Sequence, residues 1–227
     1  MKKLVVLSGA GVSKESGLNT FRDQDGLWEN HSIEEIATPQ AFEENPKKVL
    51  DFYNKRRKQL LEAKPNDAHQ YIAALEQYFE VTVITQNVDN LHEQAGSSDV
   101  IHLHGELLKS KSVNDSGKIY DQLEDIHLGD TDEKGNQLRP HVVWFGEAVP
   151  MIPTAMQVCE KADCALVIGT SLQVYPAAGL INDLPQDAKI YLIDPDPQVQ
   201  PTENLKIIKD KAVSGMKQLY TQLTQSK

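Results

Sequence analysis

Apolar residues fall along this chain in short runs separated by longer amphipathic intervals. Leu4-Val5-Val6-Leu7, Val81 to Thr85, Val100 to Leu103, Ala165 to Ile168 and Lys189 to Ile193 are compact apolar stretches of strand length, the pattern of strands buried on both faces. Between them, Pro46 to Glu62 and Asp67 to Tyr78 carry helical spacing, with Pro46 and Pro65 near the starts, where proline is tolerated. Ala155 to Ala162 and Val213 to Gln225 read as further helices, the second amphipathic. Strand and helix alternate, which predicts an α/β fold with a doubly wound, Rossmann-like parallel sheet. Only 106–140 breaks the pattern, with Asn114-Asp115-Ser116-Gly117 and Glu133-Lys134-Gly135-Asn136 among its polar runs. It reads as a small inserted module, leaving 1–105 and 141–227 as the main domain, with part of a smaller lobe drawn from 30–80.

The polar residues that could carry chemistry sit where the strands end. Gly9-Ala10-Gly11 follows the first strand, and such a turn lets backbone amides approach a phosphate, although the third glycine of the dinucleotide fingerprint is missing. Gln86-Asn87-Val88-Asp89 follows Thr85, and Gly169-Thr170-Ser171 follows Ile168; the carboxyl ends of parallel strands are where such sheets hold ligands. Asn and Asp at a strand-to-helix junction are also natural helix caps, so the residue types alone leave both readings open. His102-Leu103-His104-Gly105 adds two imidazoles, on one side if the strand runs through both, and imidazole accepts a proton near neutral pH. His92, three residues after Asp89, reads as a helix-surface or supporting residue.

The string from Gly9 to Asp23, continued by Gly26-Leu27-Trp28, resembles the cofactor loop of the sirtuins, NAD-dependent protein-lysine deacylases. Thr85 to Asp89, His102 to Gly105, Val143-Trp144-Phe145-Gly146-Glu147 and Gly169-Thr170-Ser171 match further sirtuin blocks in the same order. The resemblance implies a Rossmann-like catalytic domain that consumes NAD as co-substrate, and an acylated-lysine protein or peptide as partner. The products would be lysine, nicotinamide and an O-acyl-ADP-ribose. His104 takes the position of the general base, with Asn87 in the catalytic group. Cofactor contacts carry over to Gly9, Ala10, Gly11, Thr20, Phe21, Arg22, Trp28, Gln86, Asn87, Asp89, Gly169, Thr170 and Ser171. Phe21 would shield the reacting ribose, and Arg22 would lie near the phosphates. Asp194 stands where sirtuins often have an Asn at the adenosine ribose, and Ala212 would lie beside the adenine.

Substrate contacts follow from the same resemblance. Val143, Phe145, Gly146 and Val174 fall in the two segments between which sirtuins take an extended peptide as an added strand. Tyr53 and Arg56, three apart on one helix face, match the Tyr-x-x-Arg pair of sirtuins acting on succinyl- and malonyl-lysine, and Ala37 matches a small residue of their acyl channel. A phenol and a guanidinium together can hold a carboxylate through charge-assisted hydrogen bonds. Against this, Lys55-Arg56-Arg57-Lys58 is a basic run of the kind that usually faces solvent. Acetyl-lysine also stays open as a substrate. Two other outcomes are an ADP-ribosyltransferase or NAD hydrolase, and a non-catalytic NAD-sensing or acyl-lysine-binding module. Retention of His104, Asn87 and Asp89 together argues against the last.

Charge and cysteine usage narrow the partners. Lys and Arg number 23 against 33 Asp and Glu, a net charge of -10, which repels nucleic acid and does not favour an anionic membrane. No apolar run approaches the roughly 20 residues of a transmembrane helix, and the first strand is too short for a signal-peptide core. A cytoplasmic monomer is expected. Sirtuins usually carry two cysteine pairs around a structural zinc, whereas Cys159 and Cys164 are the only cysteines here and both lie outside 106–140. No zinc or other metal is expected: Asp121, Asp125, His127, Asp130 and Asp132 read as parts of solvated turns without the thiolates of a zinc site. Val113, Ile119, Tyr120, Leu123, Ile126 and Leu128 are the residues expected to hold the module.

Overall fold

The computed structural model describes residues 1–18, 31–114, 117–172 and 174–225. In chain order the strands are β1 (Lys2–Ser8), β2 (Phe79–Thr85), β3 (Val100–His102), β4 (Gly105–Ser112), β5 (Ile119–Asp121), β6 (Leu138–Val142), β7 (Cys164–Ile168), β8 (Lys189–Ile193) and β9 (Leu205–Ile208). The α-helices are α1 (Ile33–Ile36), α2 (Pro39–Glu44), α3 (Pro46–Glu62), α4 (Asp67–Ala74), α5 (Leu91–Gln94), α6 (Ile152–Cys159) and α7 (Ala212–Gln225). Proline and an Asn cap start α3: the Asn45 side chain accepts from the Lys48 amide at 3.0 Å, and Pro46 occupies the first turn.

Six strands form a parallel sheet in the order β3-β2-β1-β7-β8-β9. The first strand explains why it lies at the centre. Leu4 and Val6 pack into one apolar cluster with α4 and α7, while Val5 and Leu7 pack into a second with α6. A four-residue apolar run therefore has two faces to bury, which only an interior strand can do. The chain runs from β1 outward to β3, then returns to the other side of β1 with β7, so the winding reverses between β1 and β7. The register levels the strand ends: His102, Thr85, Ser8, Ile168, Ile193 and Ile208 lie in one row across the sheet. Gly9, Gln86, Gly169 and Asp194 are the residues that immediately follow that row.

The second layer is an antiparallel sheet, β5-β4-β6, against which α3 packs. Pro140 opposes Ser110 beside a register shift between Glu106 and Ser110, a place where the missing proline N–H does not interrupt a regular ladder. Its shared core joins Ile36, Ala41, Val49, Phe52 and Leu60 of α1 to α3 with Leu107, Val142 and Trp144.

The residues expected to hold 106–140 do so only in part. Ile126 is buried, but Val113, Ile119, Leu123 and Leu128 are exposed. The apolar contribution comes from α3, and hydrogen bonds do the rest. The Asn54 amide donates to the Ile126 carbonyl and its oxygen accepts from the Ile126 amide, both at 2.9 Å. Arg57, fully buried, donates to the Leu107 carbonyl and to the Asn54 oxygen. Asp132 gathers the amides of Lys134 and Asn136 into a turn, and Asp125 pairs with Lys58. Among the described residues, no group of three or more His, Cys, Asp and Glu side chains is placed to hold a metal. Cys159 and Cys164 are buried in the six-stranded layer as free thiols. No described helix is long and apolar enough to cross a membrane.

Candidate active site

Two glycine turns interlock where the winding reverses. The Gly9 amide donates to the Ile168 carbonyl at 3.1 Å, and the Gly11 amide to the Gly169 carbonyl at 2.8 Å. A Cβ on Gly11 would come within 2.8 Å of the Gly169 Cα, and one on Gly169 would collide with the Val12 amide nitrogen. Gly169 also has φ of +65°, a conformation that side chains disfavour. The third partner is Gln86, whose amide donates to the Ser8 carbonyl and whose side chain donates to the Thr170 hydroxyl at 2.9 Å. Among the described residues, no protein acceptor takes the Ala10 or Thr170 amide. Unused amides on a glycine turn at the switch point form a donor set suited to a diphosphate.

Beside these turns lies a buried polar cluster. The Ser13 hydroxyl donates to Asp89 at 3.0 Å and accepts from the Asn87 side chain at 3.1 Å. His69 approaches the same oxygen through Nε2 at 3.4 Å, and its Nδ1 accepts from the Asn66 amide. Ser13 thus holds together Asn87, Asp89 and His69, and sequence reading passed over it; its place just after the glycine turn was the available signal. Burial raises the Asp89 carboxyl above its ordinary range, against the bonds it accepts from the Leu91 amide and Ser13. Its other oxygen accepts from the Leu91 amide two residues on, an Asx-type bond that leads into α5, whose N-cap position is Asn90, so one carboxylate serves both the start of the helix and the Ser13 cluster.

The two histidines of the His-Leu-His segment do not share a strand, because β3 ends at His102 and His104 lies in the turn before β4. Backbone geometry nevertheless brings both onto the Gln86-Asn87 turn. His104 Nδ1 donates to the Gln86 carbonyl at 2.9 Å and His102 Nδ1 donates to the Asn87 carbonyl at 3.2 Å. A carbonyl can only accept, so Nδ1 of His104 carries hydrogen in either charge state and its basic lone pair is on Nε2. No partner among the described residues takes that Nε2. Burial lowers the His104 pKa, opposed by the Gln86 bond, and the ring is therefore a neutral acceptor near neutral pH.

The acyl-related residues lie in the second layer. Ala37 and Tyr53 are buried in one cluster with Trp144. The Tyr53 hydroxyl accepts from Trp144 Nε1 at 3.0 Å, and burial pushes its pKa far up, against that bond and the charges of Arg56 and Arg139. The phenol stays neutral, with Arg56 half-buried one turn away on α3. Trp144 is itself clamped: Arg139 stacks 3.5 Å from its ring centre, and the Glu147 carboxylate takes both its backbone amide and Arg139. The Phe145 amide donates to the Ala37 carbonyl, tying an acyl-channel candidate to the 143–147 segment. Val143 donates to the His104 carbonyl, Gly146 is exposed with positive φ, and Val174 accepts from the Ala178 amide.

The remaining positions scatter. Ser171 lies beside Thr170 on the surface, and Asp194 accepts from the Asp196 amide just beyond β8. Ala212 is buried in the sheet core at the start of α7. Thr20, Phe21, Arg22 and Trp28 lie outside the described residues.

The family description "Sir2 family" matches residues 9–176 of the chain. A protein of Helicobacter pylori (strain ATCC 700392 / 26695) named NAD-dependent protein deacylase is 52% identical over 224 residues, 98% of each chain. One of the same name from Bacteroides thetaiotaomicron is 51% identical over 226 residues, covering 96% of this chain and 97% of its own. A crystal structure of a Sir2 homolog–NAD complex superimposes with a TM-score of 0.89 at 41% identity, covering 99% of this chain and 90% of its own. A Sir2 variant with a deacetylated p53 peptide and 3'-O-acetyl ADP ribose gives 0.80 at 29% identity, covering 96% and 92%.

Proposed function

Because the chain belongs to the Sir2 family and is an NAD-dependent protein deacylase, we propose that it removes succinyl and malonyl groups, and acetyl groups less well, from protein lysine. The observation that carries this is the pairing of a neutral, buried Tyr53 with Arg56 one turn along α3, in the cluster that also contains Ala37. A neutral hydroxyl and a fixed cation suit a terminal carboxylate and give a methyl group nothing to bind.

In this reading NAD supplies the electrophilic ribose carbon and the leaving nicotinamide, and the residues named here bind, orient and move protons. The Gly9 to Gly11 turn and Gly169 to Ser171 hold the diphosphate half, and Asp194 lies toward the adenosine. Phe21, Arg22, Thr20 and Trp28 belong to the same cofactor set by resemblance. Asn87 and Asp89, locked to Ser13, orient the nicotinamide ribose, with Gln86 beside them. His104 accepts a ribose hydroxyl proton at Nε2. The peptide backbone pairs with 143–147 and the segment containing Val174. The catalytic domain comprises 1–105 and 141–227, with 106–140 inserted and 30–80 contributing to the smaller lobe; the protein works as a cytoplasmic monomer without zinc.

Mass spectrometry of the purified protein with NAD and matched acetyl-, succinyl- and malonyl-lysine peptides tests this. The expected result is faster loss of the acidic acyl groups with appearance of O-succinyl-ADP-ribose, and a loss of about 100- to 10,000-fold in His104→Ala. Acetyl turnover exceeding succinyl turnover contradicts the acyl assignment, and NAD consumption without deacylation replaces it with transfer or hydrolysis.

A further inference from the structure

His102 is not assigned a part in this chemistry, yet its contacts are as specific as those of His104. Nδ1 donates to the Asn87 carbonyl at 3.2 Å, and Nε2 meets the Glu93 carboxylate of α5 at 2.6 Å, with only 9% of the His102 side chain exposed. Successive carbonyls, Gln86 and Asn87, are thus each pinned by one histidine of the His-Leu-His segment.

We propose that His102 is a positioning residue for the reaction: as an imidazolium it bridges the Asn87 carbonyl to Glu93, fixing the turn that aims the Asn87 side chain. This rests on the roles given above to Asn87 and His104. A ring nitrogen facing a carboxylate at 2.6 Å must donate, and the other already donates to a carbonyl, so both nitrogens carry hydrogen. The pair agrees from both ends. Burial lowers the His102 pKa but the bond and charge of Glu93 outweigh it, leaving it raised; Glu93 is lowered, burial notwithstanding, by the same bond. The other charged or titratable groups around the ring are Asp89 before α5, His92 on α5, and Glu106 on β4, which is paired to Lys109 at 2.8 Å. Loss of one imidazolium proton leaves hydrogen on a single nitrogen; the shorter, charge-assisted bond to Glu93 keeps it on Nε2, so Nδ1 turns a lone pair to the Asn87 carbonyl and that carbonyl is released.

The two histidines therefore bound the activity from opposite sides. His104 must be neutral, giving the acid limb; His102 must be charged, giving an alkaline limb. The test is the pH profile of kcat/KM for NAD, read as nicotinamide release with an acylated peptide, in the native protein and in Glu93→Gln and His102→Gln. Glu93→Gln should move the alkaline limb to lower pH by about one unit while leaving the acid limb in place. His102→Gln should remove that limb and lower the plateau about tenfold, as expected for one charged hydrogen bond. An NMR titration of the imidazole resonance missing from His102→Gln should show a cation near neutral pH. An alkaline limb unmoved in Glu93→Gln, or a His102 ring neutral at that pH, overturns the proposal. Full activity in His104→Ala would instead overturn the general-base reading and would leave the NMR titration as the measure of His102.

Discussion

The crevice at the ends of β1, β2 and β7 and the smaller layer around Trp144 are built on opposite terms. The crevice fits backbone against backbone: Gly9, Gly11 and Gly169 touch with no room for a Cβ, and Gln86, Asn87 and Asp89 are tied to them by Ser8 and Ser13. The smaller layer fits long side chains to backbone: Asn54 and Arg57 reach the Ile126 and Leu107 carbonyls 72 and 50 residues away, and Arg139 holds the nearby Val142 carbonyl. On the function proposed above, chemistry that must be the same for every substrate falls in the half packed backbone to backbone, the rigid half, and acyl selection falls in the half where side chains can be exchanged. The two halves meet at His104, whose carbonyl accepts from Val143.

Glycine substitutions expose the difference most strongly. Gly169 and Gly129 both have positive φ, but only Gly169 is crowded; around Gly129 nothing lies within 4 Å. Gly169→Ala should cost about 2 to 5 kcal/mol, strain and overpacking together, and Gly129→Ala about 1 kcal/mol, from backbone strain alone. Urea unfolding of the two variants measures both, and equal losses would erase the contrast. In the smaller layer, Asn54→Ala removes two backbone bonds and one partner of Arg57, costing about 2 to 4 kcal/mol. The same unfolding curves with and without chelator should coincide if hydrogen bonds rather than a metal hold 106–140.

Acid weakens the rigid half first. Burial lowers His92 to about 3 and His69 to about 4, so below the free imidazole value the unfolded chain binds more protons than the folded one. Stability is unaffected above about pH 7 and falls as pH drops from about 6.5 toward those folded values, by about 1 to 2 kcal/mol per histidine at about pH 5. His92→Gln should flatten that slope in melting curves, and an unchanged slope would assign the acid loss elsewhere.

The same contrast decides what the sequence made legible. Central strands could be read because burial on two faces leaves uninterrupted apolar runs such as Leu4 to Leu7, and the strand-end residues could be read because a glycine turn and a polar tetrad follow those runs directly. β9 was missed: Leu205-Lys206-Ile207-Ile208 is a four-residue edge strand broken by a lysine. The antiparallel sheet was missed because its buried positions include Ser110, Ser112 and Arg139, which look solvated until their partners are known. Ile126 alone of the apolar residues expected to anchor the module is fully buried, since α3 supplies the apolar surface and a polar clamp supplies the rest. His69 was invisible because its meaning lies in a contact with Ser13, 56 residues away, and Ser13 had only its place just after the glycine turn to mark it.

The division of labour is tested most directly by the ratio of kcat/KM for succinyl- and acetyl-lysine peptides in the native protein, Arg56→Met and Asn87→Ala. Arg56→Met should collapse the ratio by about tenfold or more, as loss of a charged hydrogen bond to the acyl carboxylate, while Asn87→Ala lowers both activities and leaves their ratio unchanged. Equal losses for both peptides in Arg56→Met would contradict the placement of acyl selection in the smaller layer.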